Sequence, residues 1–234
     1  MELDKDTEEK TEFKFDELDE SAKNKARDKW REGGIQYDWW DCTYENATTV
    51  GDLIGIEIGT TTVQLHSGKT RQYPDISFSG FCSQGDGCCY SGTLNIAKLK
   101  GCVAAVKTHV GEDETMFALA ARGEALYDQI ALRLFTLRPQ GVDINDPDYT
   151  DFEEVLLTTS TAIHGKERSC YTTSVDLDNA PEEIEDAMNE YVSDFADWIY
   201  KQLEAESDWL NSDEYVDEDI KNNDCIFDEF GSAL

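Results

Sequence analysis

The residues best equipped for chemistry are seven cysteines, three histidines and a large excess of carboxylates. Cys82, Cys88 and Cys89 crowd a glycine-rich stretch. Cys42, Cys102, Cys170 and Cys225 are dispersed, and His66, His109 and His164 lie elsewhere. Thiolates and imidazoles together make zinc sites, but no C-x-x-C occurs and the spacings match no common zinc pattern. An odd cysteine count without secretory context argues against a disulfide framework. The expectation is reduced thiols, some packed as small hydrophobes. No G-x-x-x-x-G-K-[ST], G-x-S-x-G or H-E-x-x-H is present. His164 falls in a predicted turn with Gly165, Lys166 and Glu167, where an exposed residue is expected rather than a general base. Carboxylate pairs are too abundant to single out an acid–base couple. No catalytic residue, metal ligand or cofactor is therefore assigned.

The carboxylates act collectively. With 51 Asp and Glu against 20 Lys and Arg, the net charge is −31. A direct nucleic-acid binder needs a basic face to neutralise phosphates, and anionic membrane surfaces are disfavoured for the same reason. No apolar run reaches the about eighteen residues of a bilayer-spanning helix, and residues 1–6 lack a signal-peptide pattern. A hydrophobic content of 39%, with 11% aromatics, is too rich for a wholly disordered acidic chain.

Residues 179–234 carry eighteen acidic residues and two lysines, about half of the net charge. Pro181 is placed to open a long helix. Its apolar stripe is Ile184, Met188, Tyr191, Phe195, Trp198 and Leu203. Glu182, Glu183, Glu185, Asp186, Glu190, Asp194 and Asp197 fall on its other faces, and Asp213, Glu214, Asp217, Glu218 and Asp219 follow in the next segment. These twelve are the candidate partner-binding residues. Like charges at i,i+4 destabilise a helix by roughly 0.2–0.5 kcal/mol per pair, so solubility alone does not require so many. The acidic face admits a solvated surface, one steered onto a basic partner, or an imitation of duplex DNA, which carries one charge per about 1.7 Å. A divalent-cation site has no EF-hand pattern behind it.

The elements that must position these groups follow from periodicity. Residues 1–18 form an acidic, flexible leader that joins the fold near Phe13 and Phe15. Asp19 caps a helix whose stripe is Ala22, Ala26 and Trp30, ended by Gly33-Gly34. A second helix is expected over 37–54, with Tyr37, Trp39 and Trp40 as an aromatic core anchor. A strand covers 55–66. The strongest hairpin signal runs from Ile76 to Leu94 around Gln84-Gly85-Asp86-Gly87. Two helical pieces follow over 95–137, broken at Gly111–Glu114. A loop around Pro139, Gly141 and Pro147 precedes strands near 152–163 and 168–177. Trp209, Leu210, Tyr215, Val216 and Ile220 are possible docking residues of the tail.

Two resemblances bear on function. Ile54-Gly55-Ile56-Glu57-Ile58-Gly59-Thr60-Thr61-Thr62-Val63 resembles the first phosphate loop of actin-like sugar kinases and chaperone ATPases, where backbone N–H groups and threonine hydroxyls meet phosphate. Here Glu57 stands where that loop has Asp, and the chain is short for two large lobes, so a plain strand is favoured. The second resemblance rests on Phe15-Asp16-Glu17-Leu18, residues 22–28, Tyr37-Asp38-Trp39-Trp40, Ile76-Ser77-Phe78-Ser79-Gly80-Phe81, Ser83-Gln84-Gly85-Asp86-Gly87, residues 203–206 and residues 212–214. Together these resemble a family of small acidic bacteriophage and prophage proteins, some labelled antitoxin-like, over residues 15–92 and 195–225. Cys82, Cys88 and Cys89 depart from that pattern, and 59–74 looks like an insertion before the hairpin. The resemblance implies a phage context and no catalytic residues.

The expected fold is α+β: a small antiparallel sheet of about four strands, packed by four to six helices, as a single domain over 19–234. The expected function combines phage context with charge. It is a non-catalytic anti-defence inhibitor in the host cytoplasm, binding the basic surface of a DNA-targeting nuclease of restriction, CRISPR or Gabija-like type. The alternatives are an antitoxin-like neutraliser of a basic toxin and a small nucleotide-binding enzyme using Gly59–Thr62. The aromatic stripe of the last helix would equally close an intramolecular core or a homo-oligomer seam.

Overall fold

A computed structural model describes residues 12–35, 37–64, 68–111, 113–137, 160–166, 171–175 and 182–234. Residues 1–11 of the expected leader, the loop around Pro139 and Pro147, Pro181, His66, Cys170 and most of the strand expected over 152–163 lie outside them. The fold is α+β, with seven α-helices and a four-stranded antiparallel sheet among the described residues. The expected single domain over 19–234 is corrected. The chain forms two compact units, residues 41–203 and, from its two ends, residues 1–40 with 204–234. Each has its own core, and sequence periodicity does not reveal which distant segments share one.

In the larger unit, helix α2 (Asp41–Leu53) buries Tyr44, Ala47 and Val50. Three extended segments follow, and each bends once. The strand expected over 55–66 is β2 (Ile56–Ile58) and β3 (Thr60–Gln64), separated at Gly59. Next come β4 (Thr70–Pro74) and β5 (Ile76–Phe78), separated at Asp75, then β6 (Cys88–Tyr90) and β7 (Gly92–Asn95), separated at Ser91. At each bend the segment changes partner: β2 pairs with β7, β3 with β4, and β5 with β6. The bends close a ring of three backbone hydrogen bonds. Gly59 N–H donates to Ser91 O at 2.8 Å, Ser91 N–H to Asp75 O at 3.0 Å, and Asp75 N–H to Gly59 O at 2.8 Å. Glycine is needed beside this ring, because a Cβ on Gly92 would lie 2.1 Å from the Glu57 carbonyl oxygen.

The main sheet has the order β2–β7–β8–β9, with β8 (Ser160–Lys166) and β9 (Thr172–Val175). His164 and Lys166 lie in β8, with His164 opposite Ser174, so the turn expected there is corrected. Alternation places Thr161 and Ile163 inward and His164 outward. Helices α3 (Ile96–Leu99), α4 (Cys102–His109) and α5 (Glu114–Leu137) follow. Gly101, at φ +79°, separates α3 from α4. Helix α6 (Glu182–Leu210) completes this core with Met188, Tyr191, Phe195, Trp198 and Leu203, five of the six stripe residues. Tyr90 donates to Val192 O at 3.0 Å and Tyr191 to Ile54 O at 2.9 Å. Burial holds both phenols well above their ordinary pKa. Gly123 lies inside α5, where glycine costs about 1 kcal/mol relative to alanine. A Cβ there would meet the Tyr191 hydroxyl at 2.7 Å.

The smaller unit takes the end of α6 together with β1 (Phe13–Lys14), α1 (Glu20–Gly33), α7 (Asp213–Asn222) and β10 (Ile226–Phe227). Asp19 caps α1 as expected, accepting from Ala22 N–H at 2.8 Å, and Ser212 caps α7 by accepting from Tyr215 N–H at 3.2 Å. Phe15, Leu18, Ala22, Ala26, Val216, Ile220 and Phe227 form its core. The flexible leader expected over 1–18 is thus corrected for residues 13–18: Phe13 pairs with Phe227, and Phe15 and Leu18 are buried. The expected aromatic core anchor is corrected too. Tyr37 is 56% exposed, and Trp39 and Trp40 are half-buried, edge to face at 5.7 Å.

Candidate functional site

In the smaller unit, Arg27 and Arg31 lie four residues apart on α1, and Asp213 and Asp217 four apart on α7, so each pair shares a helix face. The two faces meet in antiparallel register. Arg27 Nε donates to Asp217 Oδ1 at 2.6 Å and Nη2 to Oδ2 at 2.8 Å, a bidentate pair with Arg27 nearly buried. Arg31 Nη2 donates to Asp213. The bond from Arg27 holds the Asp217 carboxyl below the usual range and raises the guanidinium. Lys23, Arg27 and Lys221 surround the Phe15 ring at 6.0, 5.6 and 5.8 Å. Lys23 also pairs with Glu20, and Lys221 with Asp16. Six of the seven described cations of this unit pair with its own carboxylates.

Beside this seam, Gly34 ends α1 at φ +65°. A cavity of about 340 Å³ opens there, lined by Trp30, Ile35, Tyr37, Tyr215 and Asp219 among others. Trp30 Nε1 donates to Asp219 Oδ2 at 3.1 Å, and the Tyr37 and Tyr215 hydroxyls share a hydrogen bond of 3.1 Å. That bond, burial and the charges of Asp219 and Glu206 push the Tyr215 phenol up to about 12. Trp209, 45% exposed, meets Tyr215 edge to face at 6.1 Å.

The twelve candidate residues do not form one set. Asp213, Glu214, Asp217, Glu218 and Asp219 belong to the smaller unit; Glu182, Glu183, Glu185, Asp186, Glu190, Asp194 and Asp197 belong to the larger. Asp213, Asp217 and Asp219 are engaged by Arg31, Arg27 and Trp30. Glu190 and Asp194 both hold Arg122 of α5, Glu190 at 3.2 Å. Glu182, Glu183 and Glu185 occupy the first turn of a 29-residue helix, where the macrodipole favours negative charge by about 0.3–1 kcal/mol each. Their position therefore has a local helical cause. Asp197 is exposed as a residue, but partial desolvation and then the Asp194 charge raise its pKa.

The other sequence motifs are absorbed by the fold. Thr60 donates to Gln72 at 2.7 Å and Thr61 to Asp75, so the loop resembling a phosphate cradle is tied into the β3–β4 ribbon. Asp86 accepts from Ser83 N–H at 2.6 Å, Cys82 N–H at 3.0 Å and Ser79 Oγ at 3.1 Å, which fixes the Ser79–Gly87 loop and lowers its own pKa. Cys82 is exposed while Cys88 and Cys89 are buried, and burial raises the Cys88 thiol. Among the described residues, no three His, Cys, Asp or Glu are grouped to hold a metal ion. Among them too, no helix is long and apolar enough to cross a membrane. Sequence reasoning missed Arg27, Arg31 and the cavity. The i,i+4 arginines were visible, but their partners lie about 180–190 residues away.

Residues 39–213 match the family described as Domain of unknown function (DUF8835). The chain belongs to this family. The match spans the whole larger unit and stops at the first residue of α7. No curated protein and no solved structure matches the chain.

Proposed function

We propose that this protein acts without catalysis, covering the basic nucleic-acid-binding surface of a partner protein. The observation that carries this reading is the charge of the smaller unit. It holds 24 acidic and nine basic residues in 71 positions. Its described cations are largely taken up by internal ion pairs, so the surplus is carboxylate. Such a surface raises the encounter rate with a basic partner and repels nucleic acid itself. The phage-like sequence blocks give the setting: an anti-defence inhibitor of a host DNA-targeting nuclease, acting in the host cytoplasm. An antitoxin-like role uses the same surface and differs in its partner.

The test is capture of partners by the tagged full chain from defence-bearing bacteria, after nuclease treatment and across a salt series. Recovery of one DNA-processing complex, released by high salt, is expected. Recovery of a small basic toxin would select the antitoxin role. Recovery of no basic protein at any salt would sink the reading. Glu214→Lys with Glu218→Lys is expected to weaken capture. The fourfold reversal Glu182→Lys, Glu183→Lys, Glu185→Lys and Asp186→Lys asks the same of the larger unit.

A further inference from the structure

The cavity of the smaller unit combines three aromatic side chains, Trp30, Tyr37 and Tyr215, with the Asp219 carboxylate. Aromatic faces attract ammonium and guanidinium groups by about 0.5–2 kcal/mol. The walls are set by their own bonds. Trp30 Nε1 and Asn223 Nδ2 both donate to Asp219, at 3.1 and 3.2 Å, and the two tyrosine hydroxyls hold each other. Arg31, the cation of the lining, is already bound by Asp213 and Asp28 and donates to the Asn211 carbonyl at 2.9 Å. Two carboxylates offset its charge, while Asp219 and Glu206 both act on Tyr215. The local field is therefore negative. An anion entering would face Asp219, and a neutral apolar group would desolvate that carboxylate without replacing its water. A cation is the group that an acidic and aromatic lining favours together.

We infer that this cavity receives one guanidinium or ammonium group, presented by an arginine or lysine side chain of the partner. The basic-partner reading supplies the source of that group; the aromatic and acidic lining supplies its chemistry. At about 340 Å³ the cavity is at the lower end of the about 300–1,000 Å³ of small-molecule sites. That leaves room for the charged head and part of its methylene stem.

The experiment titrates the full chain, near physiological salt, with N-acetyl-arginine methylamide, the lysine equivalent and the citrulline equivalent. Citrulline keeps the shape of arginine and lacks its charge. Binding is read by ligand-observed NMR and tryptophan fluorescence. The arginine and lysine compounds are expected to bind, with citrulline at least about tenfold weaker. Tyr37→Ala removes a largely exposed ring and Asp219→Asn keeps an acceptor for Trp30, so both are expected to fold. Circular dichroism checks this. Each is expected to weaken binding about two- to thirtyfold. Equal binding of citrulline, binding unchanged in both variants, or no binding of any compound would overturn the inference. Partner capture that Tyr37→Ala leaves unaltered would remove the cavity's role while the acidic-binder reading stands. Cation binding with no basic partner captured would do the reverse.

Discussion

The two units carry almost the same net charge, −15 in the smaller and −16 in the larger, over 71 and 163 residues. The smaller is thus about twice as densely charged, and it is held differently. Its core is seven residues around Phe15, with cations over that ring and a bidentate Arg27–Asp217 pair beside it. The larger unit is held by broad apolar faces, with phenols inside and glycines where chains approach closely. In the smaller unit, charge is part of what closes the structure. In the larger, it is mostly laid over a finished core.

That contrast can be broken by mutation. Phe195→Ala removes a fully buried ring that packs on Tyr90 and Trp198, and is expected to cost about 3–5 kcal/mol. Hydrogen exchange should show the loss in β6 and α5 and spare α1. Equal loss in α1 would mean one cooperative system. Arg27→Ala is expected to destabilise the smaller unit by about 2–3 kcal/mol, less than for a fully buried pair because Asp217 keeps some solvent. Arg27→Met, which keeps the packing on Phe15, should differ little from it if the ion pair dominates. Gly123→Ala should lower stability by about 1–2 kcal/mol despite alanine's better helix propensity. Tyr191→Phe alone forfeits the bond to Ile54 O, so the double variant should lose less than the sum of the two single losses. Additive losses would show that the Cβ meets something else.

The smallest effect concerns pH and has opposite signs at Asp217 and Asp197. Asp217 has a depressed folded pKa. Its stabilisation is present above the unfolded value of about 3.9 and is lost as pH falls through the folded value. Asp197 has a raised folded pKa. Its charge is a cost at neutral pH, relieved as pH falls through that value. Exchange protection in α1 and α7 should therefore drop on acidification before that of α6 around Asp197. Parallel loss would mean that other carboxylates dominate.

Elements ruled by local pattern were legible in the sequence. The Ala22–Ala26 stripe, the Asp19 cap and the apolar face of α6 stand where periodicity places them, and of the hairpin expected over Ile76–Leu94 only Ile76–Phe78 and Cys88–Tyr90 pair, because β7 turns to β2 and β8. What failed depends on distant partners. Strand propensity over 55–66 cannot reveal that the chain changes neighbours at Gly59. The aromatics at Tyr37, Trp39 and Trp40 read as core, because sequence does not show that this connection leaves the Tyr37 ring in solvent. The candidate carboxylates were identified by abundance, which cannot tell Asp217, held by Arg27, from Glu218 beside it in the outward-facing turn.

The ring at Gly59, Asp75 and Ser91 has a consequence for how this fold can change over time. Residues 59–74 leave and rejoin at neighbours: Gly59 O and Asp75 N are 2.8 Å apart. A segment whose two ends already touch adds little strain to its host when it grows, shrinks or is exchanged. The β3–β4 ribbon is therefore a natural place for relatives to differ in length and for a foreign loop to be grafted. The residue count through each of the three bends should stay fixed, since a one-residue slip at any of them would turn side chains to the wrong face of the ribbons it joins.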